Sequence, residues 1–373
     1  MTQTHPHASN TVRGTVLAIQ ANFYRVQLHP ETLPTDGLDA LQQPLLCTRR
    51  DRLKKIGVKV MVGDRVAVEK IDSRNATATI SDVFERRNQL DRPPVANADR
   101  ILLVFSLAEP EPDPYQLSRF LVKGESTGLP VLVALNKADL ASPSLQQEWE
   151  QRLGYWGYAA SAVSVQQNCG IQELSQHLKD RITIIAGPSG VGKSSLIHRL
   201  IPQAKVRIAA VSGKIAKGRH TTRHVELFQL PQGGLLADTP GFNQPDITCD
   251  PKDLPQYFPE IRDRLATASC QFDDCWHRQE PNCAVRGDWE RYEHYLDMLA
   301  EAESAAIASH HTRTQESSLK QKTKSDHRLN YEPKLEAKKY RRRSRRSQQQ
   351  ELQEVCESLN DPCESLSDLS QTY

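Results

Sequence analysis

No apolar run in this chain of 373 residues approaches the roughly 20 that a membrane-spanning helix needs. The first ten residues, MTQTHPHASN, hold no apolar signal-peptide core. Spanning and exported classes are therefore not expected, and the expected location is the cytoplasm, with no membrane partner. Disulfides are not expected there either, so the eight cysteines are read as thiols or metal ligands. No segment repeats another, which excludes a repeat array. What remains is globular in composition, with 38% hydrophobic and 25% charged residues, but a mean hydropathy of −0.59 shows that some region is strongly polar.

That region is the C-terminus. The net charge of +2 conceals thirteen Lys/Arg against four Asp/Glu between Arg313 and Arg346, followed by six acidic residues and no basic one between Glu351 and Asp368. From Ser304 onward apolar residues thin out, so residues 304–373 are expected to be a disordered tail, basic and then acidic. The basic block Lys338 to Arg346 has two readings, a solvated tail or an RNA-contacting arm.

The rest divides into three. From Thr11 to Val83 short β-like runs follow one another (VRGTVLAI, YRVQL, VKVMVGDRVAVEKI with a Gly63-Asp64 turn, TATISDV), predicting a barrel of about five strands over residues 11–88, OB-type or SH3-like. The cluster Arg49, Arg50, Arg52, Lys54 and Lys55 lies between strands, either as a solvated loop or as a phosphate-contacting surface. Beyond Arg92-Pro93-Pro94 continuous apolar runs (Ile101 to Phe105, Val131 to Leu135, Arg181 to Ala186) alternate with helical spacing at Leu117, Phe120 and Leu121. That alternation predicts a parallel α/β sheet over residues 89–245. Residues 246–303 hold a cysteine cluster and form the third part.

The strongest motif runs from Gly187 through Pro188, Ser189, Gly190, Val191 and Gly192 to Lys193 and Ser194, between a strand and a helix, where a phosphate-binding loop belongs. Its glycines let backbone N–H groups face a β-phosphate, Lys193 reaches the β/γ oxygens, and the Ser194 hydroxyl is placed to ligate Mg²⁺. The choice of base rests on Asn136-Lys137-Ala138-Asp139 at the end of a strand. Asp139 matches the guanine N1–H and N2–H₂ donors, and adenine would leave that carboxylate unpaired, so the nucleotide is GTP or GDP. Val163-Ser164-Val165 is placed to offer backbone donors to the guanine carbonyl, with Ser161-Ala162 as the alternative register. Asp238-Thr-Pro-Gly241 closes an apolar segment, as an Asp does that holds Mg²⁺ through water beside a γ-phosphate-sensing glycine. In Gly218-Arg-His220-Thr221-Thr222 either threonine can complete the Mg²⁺ shell.

These motifs occur in circularly permuted order, base recognition before phosphate binding, so the segment after Gly241 leads straight into the next domain. There Cys270-x₄-Cys275-x-His277-x₅-Cys283 supplies three thiolates and one imidazole, a closed tetrahedral set for a structural Zn²⁺. Cys47, Cys169, Cys249, Cys356 and Cys363 are read as ordinary thiols. The residue after the Asp-x-x-Gly glycine is Phe242 rather than a water-orienting glutamine, so intrinsic hydrolysis is expected to be slow. His220 is the candidate to act at the γ-phosphate, together with Lys193 and Thr222.

The barrel, the permuted order and the cysteine–histidine knuckle together resemble the ribosome small subunit-dependent GTPase A family (RsgA/YjeQ). The resemblance covers about residues 11–300 and includes Ala96-Asn97-Ala98-Asp99, Asn136 to Asp139, Gly187 to Ser195, Gly218 to Thr222, Asp238 to Phe242 and the four zinc ligands. Ser164-Val165 departs from the more usual Ser-Ala. The resemblance implies an OB-fold contacting ribosomal RNA and a GTPase, stimulated by the small subunit, that acts late in maturation of that subunit; the chain is expected to be a monomer. A different class of reading is a nucleotide-gated rRNA-binding module in which hydrolysis is incidental. A P-loop ATPase or kinase is a further alternative, against which Asn136 and Asp139 argue.

Overall fold

The structure is a computed structural model that describes residues 11–33, 43–202, 225–238 and 245–315, with the strands at 319–323 and 329–333. Two compact units divide the chain, Met1–Ala306 and Ile307–Tyr373. The first holds the barrel, the α/β sheet and the cysteine cluster.

The barrel is made of β1 (Val12–Gln20), β2 (Phe23–Leu28), β3 (Leu45–Arg49), β4 (Arg65–Asp72) and β5 (Thr77–Val83). Strand order is β1-β2-β3-β5-β4, with β4 returning to pair with β1. The parallel pairing of β3 with β5 makes it a Greek-key OB barrel rather than an up-and-down meander. Alternate residues such as Val16, Val26, Cys47, Val66 and Ile80 turn inward, as period-two side-chain alternation requires. Two expectations are corrected here. Val58 to Val62 is not a barrel strand; Val62 makes one isolated bridge to Val95, because Gly63 and Asp64 turn the chain towards the neighbouring domain. Its place is taken by β3, which follows a segment of weak pattern. The basic cluster after β3 contains a short helix, α1 (Asp51–Lys55), whose Leu53 is buried in the barrel.

A small hairpin, β6 (Gln89–Asp91) with β7 (Pro94–Ala96), turns at Arg92-Pro93 and leads into the α/β sheet. The sheet strands are β8 (Arg100–Ser106), β9 (Val131–Asn136), β10 (Ala160–Ala162), β11 (Ile182–Ala186), β12 (Glu226–Gln229) and β13 (Leu235–Asp238), in the order β10-β9-β8-β11-β13-β12. All neighbours are parallel except β12. Four helices cover the sheet: α2 (Pro114–Glu125) and α3 (Pro143–Tyr155) on one face, α4 (Ile171–Leu178) and α5 (Lys193–Leu200) on the other. The central strands are buried on both faces, which explains their unbroken apolar runs. Local signals set the helix starts. Asp113 accepts hydrogen bonds from the backbone of Tyr115 and Gln116 ahead of α2, and Ser142 accepts one from Leu145 ahead of α3, with proline at the first helical position of each.

The third region builds its own core from Ile261 on α6 (Pro259–Thr267) and Tyr295 and Met298 on α7 (Tyr292–Gln315), with Ile247, Leu254, Phe258 and Val285 from the segments before and between them. Helix α7 runs through the expected boundary at residue 304 to Gln315, since the alanine-rich stretch there favours helix. In the second unit β14 (Leu319–Thr323) pairs with β15 (Leu329–Pro333). The basic block Lys338 to Arg346 and the acidic end lie outside the described residues.

Candidate functional site: a guanine-nucleotide cradle and a cysteine–histidine knuckle

Strand β11 lies in the middle of the sheet and ends at Ala186, where the chain turns through Gly187–Gly192 into α5. Gly187 has φ +139°, and a Cβ there would lie 2.1 Å from the Val104 carbonyl oxygen of β8. No other residue fits this crossing. Gly192 has φ +92°, and a Cβ would meet the Asn136 Nδ2 at 2.4 Å. The loop is thus wrapped so that its backbone N–H groups and the N-terminus of α5 share one concavity. Lys193 Nζ closes it, donating to the carbonyls of Gly187 (2.8 Å) and Pro188 (2.5 Å). Ser194 opens α5 beside it, and Ser189, Gly190 and Ser195 are exposed, whereas Val191 is buried in the core under α5.

The base-recognition motif reaches this loop directly. Asn136, 2% exposed, donates from Nδ2 to the Val191 carbonyl at 2.8 Å. Lys137 takes a left-handed conformation (φ +58°) and its Nζ donates to the Glu109 carbonyl. Asp139 follows in a single helical turn, and the buried Ser164 hydroxyl donates to its Oδ1 at 2.5 Å while accepting from the Gln167 N–H at 3.0 Å. One carboxylate oxygen is therefore oriented from behind. The alternative register, Ser161-Ala162, lies within β10, paired to Ala134 and Leu135 of β9. Asp238 closes β13 in register with Ile185 of β11, one residue short of the phosphate loop. His220, Thr221, Thr222, Gly241 and Phe242 lie outside the described residues.

Sequence reading missed the 106–110 turn. The Ser106 hydroxyl donates to the Pro110 carbonyl at 2.6 Å, and Pro110 lies 3.6 Å from where a Gly190 Cβ would be, so this turn borders the cradle beside Lys137. The run Glu109-Pro-Glu-Pro-Asp113 after an apolar strand was its only signal.

In the third region the ligand atoms of Cys270, Cys275, His277 and Cys283 all lie within 4.8 Å of one another. Cys270 Sγ and Cys283 Sγ each lie 3.5 Å from His277 Nδ1 and 3.9 Å from each other. A tetrahedral Zn²⁺ with bonds of about 2.3 Å to sulfur and 2.0–2.1 Å to nitrogen needs edges of about 3.8 and 3.6 Å, so the four side chains fit that ion. Burial pushes the Cys275 thiol up to about 12, which a dication would reverse by favouring thiolate, and lowers His277, which keeps the neutral imidazole that a metal binds. The surrounding loop is tied down by Glu280, whose carboxylate accepts from the backbone of Trp276 and Arg278, and by Tyr292, whose hydroxyl donates to the His277 and Arg278 carbonyls. The spacing of the four ligands gave no sign of either support.

Comparison with known proteins points the same way. The family model for the RsgA GTPase matches residues 83–248. Small ribosomal subunit biogenesis GTPase RsgA 1 of Nostoc sp. is 58% identical over 355 residues, covering 92% of this chain and 96% of the relative. The protein of that name from Synechocystis sp. is 51% identical, covering 94% and 96%. Among solved structures, YjeQ from Thermotoga maritima superposes with a TM-score of 0.64 at 31% identity, over 79% of this chain and 99% of its own. YloQ, described as a circularly permuted GTPase, gives 0.64 at 29%, over 81% and 99%.

Proposed function

Since the chain belongs to the RsgA GTPase family, we propose that it binds the small ribosomal subunit and assists its late maturation, hydrolysing GTP when that subunit stimulates it. The observation that carries the reading is the physical lock between the two motifs. Asn136 is bonded to the phosphate loop and Ser164 to Asp139, so base and phosphate sites form one cradle despite their reversed order in the chain.

In that cradle Asp139 takes the guanine donors, the Ser164 segment faces the guanine carbonyl, and Asn136 and Lys137 fix the turn that carries Asp139. The 187–192 backbone and Lys193 hold the phosphates. Lys193 exchanges its two carbonyl acceptors for β/γ oxygens, a charge-assisted bond stronger than those it gives up. Ser194, Asp238 and Thr221 or Thr222 would hold Mg²⁺, which would supply positive charge against the charge developing on the phosphate oxygens. Phe242 cannot orient water. His220 is assigned that task, made effective when the subunit orders its segment. Partner-assisted hydrolysis in Ras-type enzymes exceeds the unaided rate by about 10⁵, roughly 7 kcal/mol, so docking has room to act as the trigger.

Residues 11–88 serve as the RNA-binding barrel, 89–245 as the GTPase domain, 246–303 as the zinc domain with its last helix continuing to Gln315, and the remainder to 373 as a charged tail. The protein works as a monomer on ribosomal RNA, in the cytoplasm where subunits mature. No helix among the described residues is long and apolar enough to cross a membrane.

The test is the GTP hydrolysis rate of the purified protein alone and with small subunits, large subunits or free rRNA. Strong stimulation by small subunits only is expected; a rate that none of them changes would overturn the proposal. Loss of that stimulation in His220→Ala, with GDP affinity unchanged, is the expected sign of its role.

A further inference from the structure

Strands β8 and β9 end side by side, with Ser106 in register with Asn136. The chain beyond each strand borders the phosphate loop: Asn136 bonds the Val191 carbonyl at 2.8 Å, and Pro110 Cδ lies 3.6 Å from where a Gly190 Cβ would be. The two exits are also tied to each other. The Leu107 N–H donates to the Asn136 carbonyl at 2.9 Å, and Lys137 Nζ donates to the Glu109 carbonyl. Glu109 (φ +48°) and Lys137 (φ +58°), the partners in the second contact, both hold left-handed backbones that non-glycine residues rarely take. Such conformations persist only where the surroundings over-determine them, and they cluster at ligand sites. Among the described residues no backbone hydrogen bond joins residues 107–112 to one another. The turn is closed instead by Ser106, 1% exposed, whose hydroxyl donates to the Pro110 carbonyl at 2.6 Å.

We infer that Ser106 is a positioning residue for guanine-nucleotide binding, acting through Lys137. In the 136–139 segment Asn136 is anchored by the phosphate loop and Asp139 by Ser164, so Lys137 is the member whose anchor comes from the 106–110 turn. With Ser106 in place the Glu109 carbonyl stands where the Lys137 ammonium reaches it, and the lysine is fixed before a ligand arrives. A long side chain fixed in advance loses less entropy on binding. Alanine at position 106 leaves the Pro110 carbonyl without that donor and the turn without its closure. Glu109 is then free to leave its strained backbone, and Lys137 becomes a mobile surface cation two residues from Asp139. The loss falls at the base end of the cradle, which GDP and GTP share, so both should loosen by the same factor and the chemical step should be untouched. The inference rests on the placement of guanine at Asp139 proposed above and not on the ribosomal role.

The experiment measures release of N-methylanthraniloyl-GDP and steady-state GTP hydrolysis by the full-length protein with Mg²⁺. Ser106→Ala should release GDP about fivefold faster, as expected for the loss of one net hydrogen bond. The KM for GTP should rise by a similar factor with kcat unchanged, since the contact is made equally in ground and transition states. Lys137→Met keeps the stem and removes the donor, and in that background Ser106→Ala should add nothing. An unchanged release rate in Ser106→Ala, or a fall in kcat with KM unchanged, would overturn the inference. So would an equal rise repeated on top of Lys137→Met, which is what a merely structural serine gives. Asp139→Asn in the same assay separates the two possible failures. If it loosens GDP while Ser106→Ala does not, the positioning role alone fails; if it too leaves release unchanged, guanine does not sit at Asp139 and the base-site reading fails as well.

Discussion

The barrel meets the GTPase sheet mainly through backbone, whereas the region of the cysteine–histidine cluster meets it through buried charge. At the barrel joint β1 touches β12 at Ala18 and Glu226, Val62 bridges Val95, and Asn97, 1% exposed with φ +57°, donates to the Gly63 carbonyl while accepting from the Arg87 N–H. Asp99 then accepts from the backbone of Ile182, the first residue of β11. At the other joint Arg291 is fully buried. It donates to both oxygens of Glu260 (3.2 and 3.1 Å) and to the Ser118 hydroxyl of α2 (2.9 Å), among the rings of Phe258, Trp156 and Tyr158. Arg119 pairs with Glu301, and the Trp156 indole donates to Glu290. The first joint fixes geometry mainly with backbone and amide groups, joined by the Arg25–Glu226 ion pair and the Asp99 carboxylate. The second rests on charges whose burial is tolerated only while every partner is present.

The difference is broken most severely by removing one member of the candidate metal site in the second region. Cys275→Ser should abolish zinc retention and unfold the knuckle, an effect on the order of 10 kcal/mol on that region, while barrel and sheet still fold. Metal content and limited proteolysis decide it, and full zinc occupancy in the variant would remove Cys275 from the ligand set. Next comes Arg291→Met, which leaves Glu260 buried without its cation and should cost about 3–5 kcal/mol. Burial already pushes the Glu260 carboxyl up, with Arg291 opposing that shift. Adding Glu260→Leu should restore much of the loss. If the double variant is as unstable as the single one, the cost lies in packing and not in the orphaned charge.

At the barrel joint the expected loss is smaller. Asn97→Ala removes two hydrogen bonds from buried or half-buried backbone groups and forces alanine into a left-handed backbone, together about 2–4 kcal/mol. Asn97→Gly keeps the backbone conformation and should recover about 1 kcal/mol of it. Equal destabilisation by the two variants would mean that the hydrogen bonds alone hold the turn.

Much of this was legible in the sequence, and for identifiable reasons. Gly187–Ser194, Asn136–Asp139 and the set Cys270, Cys275, His277 and Cys283 are local patterns, and the parallel strands declare themselves because burial on both faces demands unbroken apolar runs. The barrel was less legible: Leu45–Arg49 is a five-residue strand, and its placement beside Thr77–Val83 follows from topology, not pattern. The Ser164–Asp139 bond spans 25 residues and Asn136–Val191 spans 55, so the sequence shows the partners but not the lock. Least legible was the Arg291 cluster. An arginine and a glutamate 31 positions apart look like surface residues until α2, α6 and α7 converge on them.

The smallest predicted effect concerns pH sensitivity at the joint built on Arg291. The Ser118 hydroxyl accepts from Arg291 Nε and lies 2.8 Å from His294 Nδ1, so its single hydrogen is free to point at that nitrogen, which must then be unprotonated. Burial is the main cause that lowers the His294 pKa below its ordinary value; Arg291 and Arg152 lower it further, while Glu290 and Asp113 oppose them. The Tyr115 ring packs edge-on against the imidazole. Because the folded state binds this proton less readily than the unfolded chain, stability is retained at neutral pH and falls as pH drops through about 6.5, the unfolded value, towards the lower folded one. Protonation would also place a second cation beside Arg291. His294→Gln keeps an acceptor for the Ser118 hydroxyl and cannot titrate, so its melting temperature should fall less than the parent's between about pH 7.5 and pH 5.5. His29 titrates in both proteins and cancels in the difference. Parallel melting curves across that range would show that the joint's pH dependence comes from elsewhere, whereas a flattened curve in the variant assigns it to the one titrating histidine bonded to the buried arginine's partner.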